Sequence, residues 1–365
     1  MQEFYLWLSE LKGFSAEGRR RFRNLGIEAQ ELFSASKADL SDLGFSPKDC
    51  EALLNREMAR VREIQKISKE KGISVLTPDC ADFPDPLRRM DNPPLSLYCL
   101  GDLPDTERTL TLAIVGHRHA SEHGIFLTEE IACELSNNGV IIVSGGAEGI
   151  DSAAMRGAIR AGGPLVGVLG NGVDIVYPAV NRELFRSTKE LGCLLSEYAP
   201  GTAPSKWNFP ERNRLISGLS HGVLIAEAPR KSGSMITAAH ALEQGKDVFA
   251  MPGTAGVDRF SGSNDLIRQG AYLTESAEDI LSFYRGSFDL VYPGEEEKET
   301  KKPPKADTPD GIEGLILSLM SEEPVSVDEL IEKSKCSAAE VTCALTMLQI
   351  KGLIRMAPGG SCFRI

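Results

Sequence analysis

Between about residue 107 and residue 252 the chain alternates short apolar runs with segments of helical length, and this alternation restricts the possible folds most. The runs lie at 111–116, 140–145, 164–170, 193–198, 223–228 and 247–252, most of them closed by glycine or proline. Helix-length segments fall between them at 121–138, 150–161, 179–191 and 234–244. Strands that alternate with helices in this way are joined by crossovers. They build a mostly parallel sheet covered on both faces. The expected fold class is therefore α/β, with a doubly wound, mostly parallel sheet over 71–291.

At 365 residues the chain is long enough for two or three domains. Residues 1–70 read as short helices, with apolar positions at helical spacing and stops at Gly13, Gly26 and Gly44. Leu11-Lys12-Gly13-Phe14 and Leu43-Gly44-Phe45 resemble the turns of helix-hairpin-helix repeats. A helical packing module and a clamp on a DNA backbone both fit them. Residues 292–310 carry charge and proline without core formers and read as a linker. Beyond it, 311–365 gives helices at 312–320, 327–334 and 338–351, then a ribbon turning at Pro358-Gly359-Gly360. This is the order of a winged helix-turn-helix.

The 52 acidic residues outnumber the 40 lysines and arginines, for a formal charge of −12. Any nucleic-acid site must then be a local basic patch on an acidic molecule. The eight cysteines form no CxxC pair, which indicates neither a disulfide framework nor a zinc site. The start of the chain lacks the pattern of a signal peptide, and no apolar run is long enough for a membrane span. A cytoplasmic protein without membrane attachment or cofactor is expected.

Ligands of a doubly wound sheet bind beyond the carboxyl ends of its strands. Three glycine-bearing turns fall there: Gly116 to Ser121 with Arg118, Ser144-Gly145 to Asp151, and Ser232-Gly233-Ser234 to Thr237. Each leads into a helix, whose free N–H groups and positive dipole end suit a phosphate. The stretch that decides the reading is Lys206-Trp207-Asn208-Phe209-Pro210-Glu211-Arg212-Asn213-Arg214. Three cations and two aromatic rings stand together here with one acid. Single-stranded nucleic acid needs this pairing, because bases stack on rings while phosphates meet Lys and Arg. Arg212 and Arg214 are expected to flank a groove. Trp207 and Phe209 either stack bases or anchor the loop to the core.

Other patterns point to less. His117, His119 and His123 lack a thiol or further carboxylate at metal-ligand spacing beyond Glu122, so solvated or hydrogen-bonded histidines are expected. Asp151, Asp174 and Glu197 follow turns on the ligand edge, where carboxylates mostly cap helices and tie loops. The sequence shows no Ser/His/Asp order and no Walker lysine.

Motifs in a fixed order run from 111 to 271: Ala113-Ile114-Val115-Gly116 with Arg118, Gly149-Ile150-Asp151, Gly170-x-Gly172-x-Asp174, Leu195-Ser196-Glu197-Tyr198, Phe209-Pro210-x-Arg212-Asn213-Arg214, Glu227-Ala228, Ser232-Gly233-Ser234 and Gly262-Ser263-Asn264. In these the chain resembles the DNA-processing protein A family, also called Smf. The resemblance implies an extended Rossmann-like domain working as a homodimer. It also implies a protein that is not an enzyme, that binds and protects single-stranded DNA in natural transformation and that helps load the recombinase RecA. Arg118, Lys206, Phe209, Arg212 and Arg214 fall on the family's DNA-contacting positions. Two departures stand out: Glu148 lies in the second glycine turn, and His117 replaces a small hydroxyl residue.

Two other functions fit parts of the sequence. A nucleotide sensor accounts for the glycine turns but leaves Lys206 to Arg214 unexplained. Phosphoribohydrolases that cleave nucleoside monophosphates resemble a Pro-Gly-Gly-x-Gly-Thr-x-x-Glu signature. The nearest segment here, Pro252 to Phe260, has Thr254, Val257 and Phe260 in place of the glycine, threonine and glutamate. The presumed recognition helix at 338–351 offers only Gln349 and Lys351 for reading a groove and also carries Glu340, so this module is expected to contact protein. The isolated 308–365 fragment should accordingly leave duplex DNA unshifted in a mobility assay at physiological salt, and a retarded band would contradict that role.

Overall fold

A computed structural model describes residues 1–288, 311–320, 325–350, 353–357 and 361–364. The chain divides into two compact units, Met1–Pro293 and Gly294–Ile365. The linker expected at 292–310, Lys351 and the turn at 358–360 lie outside the described residues.

The first unit is built on a nine-stranded sheet: β1 Ser74–Leu76, β2 Leu97–Gly101, β3 Thr111–Val115, β4 Ile141–Ser144, β5 Leu165–Leu169, β6 Cys193–Ser196, β7 Gly222–Ile225, β8 Asp247–Ala250 and β9 Tyr272–Leu273. Their order is β1-β2-β6-β5-β4-β3-β7-β8-β9. From β6 to β9 every pairing is parallel, whereas β2 runs antiparallel to both β6 and β1. The six expected strands are β3 to β8. The antiparallel pair β1 and β2 and the two-residue β9 extend the sheet beyond the alternation that marks the others. Chain direction along the sheet reverses at β3, with β4 on one side and β7 on the other. A doubly wound sheet opens its ligand crevice at this switch point.

Alternate residues of each central strand feed opposite faces, as the period of two requires. Leu112, Ile114 and Ile142 enter one buried cluster, and Ala113, Val115, Ile141 and Val143 enter the other. The helices Glu122–Asn137 and Ile150–Ala161 cover the first face through Ile131, Leu135, Ala154 and Met155. The helices Asn208–Leu219 and Gly233–Glu243 cover the second through Leu215, Ile216, Leu219 and Ala241.

Six helices fill the first seventy-odd residues, from Gln2–Glu10 to Ala59–Lys71. Their apolar sides, including Leu6, Trp7, Leu32 and Ile64, belong to the same buried cluster as Leu112 and Ile114, so they share a core with the sheet. Lys71 Nζ, at the end of the sixth helix, meets Asp174 in the loop after β5 at 2.6 Å. The second unit contains the helices Ile312–Leu319, Val327–Ser334 and Ala338–Ile350. Its small sheet has the order β10 Val325–Ser326, β12 Ser361–Arg364, β11 Ile354–Ala357 and packs over Ile316, Leu330, Val341 and Leu348. Helices and ribbon follow the expected winged-helix order, with β10 added.

Candidate nucleic-acid interface

A concavity of about 550 Å³ opens over the carboxyl ends of β3 and its neighbours, at the switch point. Three chain segments make its walls. The first is the turn after β3. His117 donates its backbone N–H to the Glu227 carbonyl at 2.6 Å, and Ile150 donates its own to the His117 carbonyl at 3.3 Å. The crossing is close: Gly149 has φ +77°, and a Cβ there would lie 2.4 Å from the His117 oxygen. Only glycine satisfies both conditions without displacing the turn.

Glu227 fixes this turn from below. Its carboxylate, 1% exposed, accepts the Ser121 backbone N–H at 3.0 Å and the Ser121 hydroxyl at 2.7 Å. Ser121 Oγ in turn accepts the Gly124 N–H at 3.0 Å and caps the helix Glu122–Asn137. Arg118 is thereby carried on a short braced loop, with its own side chain exposed. Sequence reasoning placed Glu227 in a motif without assigning it this work. A carboxylate just past a strand end, far along the chain from a Ser-capped helix, is visible as a partner only once β3 and β7 are known to pair.

The second wall is the start of the helix Asn208–Leu219. Phe209 presents its ring to the concavity with Arg118 Cζ 5.6 Å from its centroid and Arg212 Cζ 6.0 Å from it. Tyr177 stacks on the same ring at 5.7 Å with 27° between the planes. Gly170 permits the approach, because a Cβ there would meet the Phe209 ring at 2.8 Å. Lys206 lines the concavity and places Nζ 5.0 Å from the Trp207 ring centroid. Asn213 also lines it, donating from Nδ2 to the Gly233 carbonyl at 3.2 Å.

The third wall is the start of the helix Gly233–Glu243, contributed by Lys231, Ser232, Gly233, Ser234 and Thr237. Ser232 Oγ accepts the Ser234 N–H at 3.3 Å and lies 2.7 Å from the Ser234 hydroxyl. Helix N–H groups and hydroxyls at such an end suit a phosphate. Lys231 is a cation that the sequence reading passed over, although it stands directly before the third glycine turn.

Arg212 forms the floor. It donates to the Gly145 carbonyl at 2.8 Å, to the Val168 carbonyl and to Asn213 Oδ1 at 3.2 Å. Burial pulls its guanidinium down to about 10, against the pull of Asp151 and with the help of Arg118, so it remains charged at neutral pH. Burial also raises the Asp151 carboxyl above its ordinary value, against the cations Arg212 and Arg118. Asp151 Oδ2 accepts the Ala147 N–H at 3.3 Å. Asp174 accepts Lys71 and the Gly201 N–H, and Glu197 accepts Arg214. All three carboxylates thus tie loops, as expected. Burial lowers the His117 pKa below its ordinary value.

The structure therefore brings Gly116, Arg118, Lys206, Phe209, Arg212, Asn213, Ser232, Gly233, Ser234 and Thr237 around one concavity. Four other expected contact residues stand off it. Ser121 is a helix cap, and Ser144 is buried, with Oγ donating to the Ile114 carbonyl at 2.8 Å. Gly145 is buried beneath, its carbonyl held by Arg212, and lines only a neighbouring hollow of about 170 Å³ beside Glu148. Arg214 turns away to Glu197 and to the Asn92 carbonyl at 2.9 Å. The expectation that Arg212 and Arg214 flank one groove is corrected by helix geometry: two positions apart is about 200° around the axis.

Fold and site together define an extended Rossmann-like protein with a cationic, ring-bearing crevice and a separate winged-helix unit. Residues 74–285 match the family model described as DNA recombination-mediator protein A, and residues 300–360 match the DprA winged helix domain. The chain is 33% identical to Protein Smf of Synechocystis sp., over 98% of this chain and 97% of that one. It is 38% identical to the DNA processing protein DprA of Streptococcus pneumoniae, over 69% of this chain and 87% of that one. The solved structure of the Streptococcus pneumoniae protein superposes with a TM-score of 0.64 at 32% identity, covering 77% of this chain and 97% of that one. A structure of DNA processing protein A from Helicobacter pylori, described for its single-stranded DNA binding mode, gives 0.54 at 31% identity, covering 59% and 97%. The chain belongs to the DNA-processing protein A (DprA/Smf) family.

Replacing Glu227 by alanine removes the acceptor for the Ser121 amide and hydroxyl. A loss of about 1.5–3 kcal/mol is expected in denaturant unfolding, with faster hydrogen exchange at the Ser121 and Gly124 amides. Unchanged exchange would show that the turn is braced elsewhere.

Proposed function

We propose that this chain binds single-stranded DNA in the switch-point concavity, does no chemistry on it, and delivers it to a RecA-type recombinase. The observation that carries the reading is Phe209 with two guanidinium carbons 5.6 and 6.0 Å from its ring centroid, lining a hollow that also takes Lys206 and Lys231, on a chain of net charge −12. Four cations face one lining carboxylate, Asp151, so the positive potential is local. A base stacks on Phe209, and the adjoining phosphates meet Arg118, Lys206 and the N–H groups after Ser232. Arg212 supplies charge from the floor; Ser121, Ser144, Gly145 and Arg214 hold the walls. The likeness to a Helicobacter pylori protein described for its single-stranded DNA binding supports the same ligand here.

The non-enzymatic reading rests on the carboxylates, which are occupied in tying turns. It also rests on Phe260, which packs against Gly253 where the hydrolase signature would bring a glutamate. We read the edge strand β9 as the pairing face of a homodimer. It leaves Tyr272 and Leu273 about half exposed, with Tyr272 packed on Phe283 at 4.4 Å, and open edges of this kind pair readily. Among the described residues, no helix is long and apolar enough to cross a membrane, and we place the protein's action in the cytoplasm, where its substrate strand would arrive.

Fluorescence anisotropy with a labelled oligonucleotide tests the binding. Wild type should prefer a single strand to a duplex, and Arg118→Ala and Lys206→Ala should each weaken it. The slope of log affinity against log salt should fall by about 0.7 for each phosphate that a variant no longer neutralises. Lys206→Ala should also fail to speed recombinase filament growth on a coated strand. Equal affinity in both variants would favour a small-nucleotide sensor. For the dimer, Leu273→Lys should lower the sedimenting mass to that of a monomer; an unchanged mass would exclude the β9 edge.

A further inference from the structure

Two tryptophans are present, and their surroundings are opposite. Trp7 is 1% exposed, donates its indole N–H to the Asn55 carbonyl at 2.7 Å and meets Phe33 edge-on at 5.0 Å. Trp207 is 72% exposed. Among the described residues no aromatic ring packs on it and its indole N–H has no hydrogen-bond partner; the one group over its ring is Lys206 Nζ, 5.0 Å from the centroid. An indole left this open adds little buried area to folding. It does not line the concavity, yet it stands two residues before Phe209, which does, and immediately before the helix Asn208–Leu219. Its segment is anchored at the next residue, where Asn208 Nδ2 donates to the Gly170 carbonyl at 3.0 Å. The ring is therefore presented at the rim on a fixed segment, beside a cation shared with the hollow.

We infer that Trp207 is a second base-stacking platform outside the concavity, so that the bound strand runs from Phe209 over the rim and onto the indole. This rests on the proposed single-strand binding and adds to it a direction for the strand and a longer footprint. Lys206 touches both stations, over the indole and along the wall of the hollow, and is placed to neutralise the phosphate that links the two stacked nucleotides. A base on the open face of the indole also completes a sandwich with the ammonium on the other face, an arrangement that strengthens a cation–π contact by excluding water. Sequence tolerance follows, since every base offers a face to a ring.

The chain reports on itself, because stacked bases quench indole emission and Trp7 is sealed in the core. The full chain is titrated with an oligothymidylate of about 16 nucleotides, occupancy being followed independently by the anisotropy of a label on the DNA. Tryptophan emission should fall in step with occupancy, and Trp207→Phe should abolish the quenching while keeping most of the affinity. Trp207→Ala, at an exposed position that leaves the fold intact, should weaken binding by about five-fold or more. Binding without quenching in wild type, or an unchanged affinity in Trp207→Ala, overturns the inference and leaves the single-strand reading standing. No binding by anisotropy overturns both.

Discussion

The interface hangs on one buried guanidinium. Arg212 joins the carbonyls of Gly145 and Val168, at the ends of adjacent strands β4 and β5, to the first turns of a helix that follows β6. Each of those carbonyls lies where parallel strands stop, and each would otherwise face the crevice without a donor. Nη1, which carries two N–H groups, donates to both carbonyls, and the guanidinium keeps its charge at neutral pH although burial lowers its pKa to about 10. The same side chain therefore closes the sheet ends, fixes the helix start that carries Phe209 and leaves positive charge under the ring. A buried charge is expensive to place. Here it is offset by carbonyl dipoles, by the nearby Asp151 carboxylate and by whatever anion enters above.

This dependence explains how much of the molecule was legible in its sequence. Strands β3 to β8 could be read because each is buried on both faces and so appears as an uninterrupted apolar run. Strands β1, β2 and β9 are three, five and two residues long. β1 and β9 are the edge strands, and β1 and β2 stand amid prolines such as Pro78, Pro84 and Pro94, outside the strand–helix alternation, although Leu97, Tyr98 and Cys99 of β2 are buried on both faces. The first seventy residues read correctly as helical, but no pattern of single residues shows that Leu6 and Trp7 will join a cluster with Leu112. Packing between distant segments is not written in local periodicity.

Within the site the same division recurs. Phe209 and Lys206 were legible because cations stand beside rings in their stretch, and Arg118 because it lies in the first glycine-bearing turn and matches a family motif position. Arg212 and Arg214 look equivalent in sequence, two arginines around an asparagine. The helix turns one inward beneath the ring and the other back to Glu197 and the Asn92 carbonyl. Tyr177 could not be foreseen as Phe209's stacking partner, because it reaches that ring from a loop more than thirty residues earlier. Ser121 and Ser144 carry structural bonds instead. Hydroxyls in glycine-bearing turns suggest phosphate contacts, yet both are spent inside the protein, on Glu227 and on the Ile114 carbonyl.

The proposed mode of binding implies selectivity without any base-specific contact. A half-buried ring lining a concavity with Arg118 and Arg212 is reached by a base that is free to leave its neighbours. In a duplex that base must first be unpaired and unstacked, at a cost of a few kcal/mol, and stacking on one ring returns about 1–3 kcal/mol. The exchange is at best even for a duplex and favourable for a strand whose bases are already loose. The acidic exterior acts in the same direction, because a stiff double helix approaching the rim brings many phosphates against a surface of net charge −12. In that mode a flexible strand would enter the local positive hollow and keep the rest of its charge in solvent. In the proposed mode, discrimination against duplexes rests on where one phenylalanine sits and on how little of the surface around it is basic.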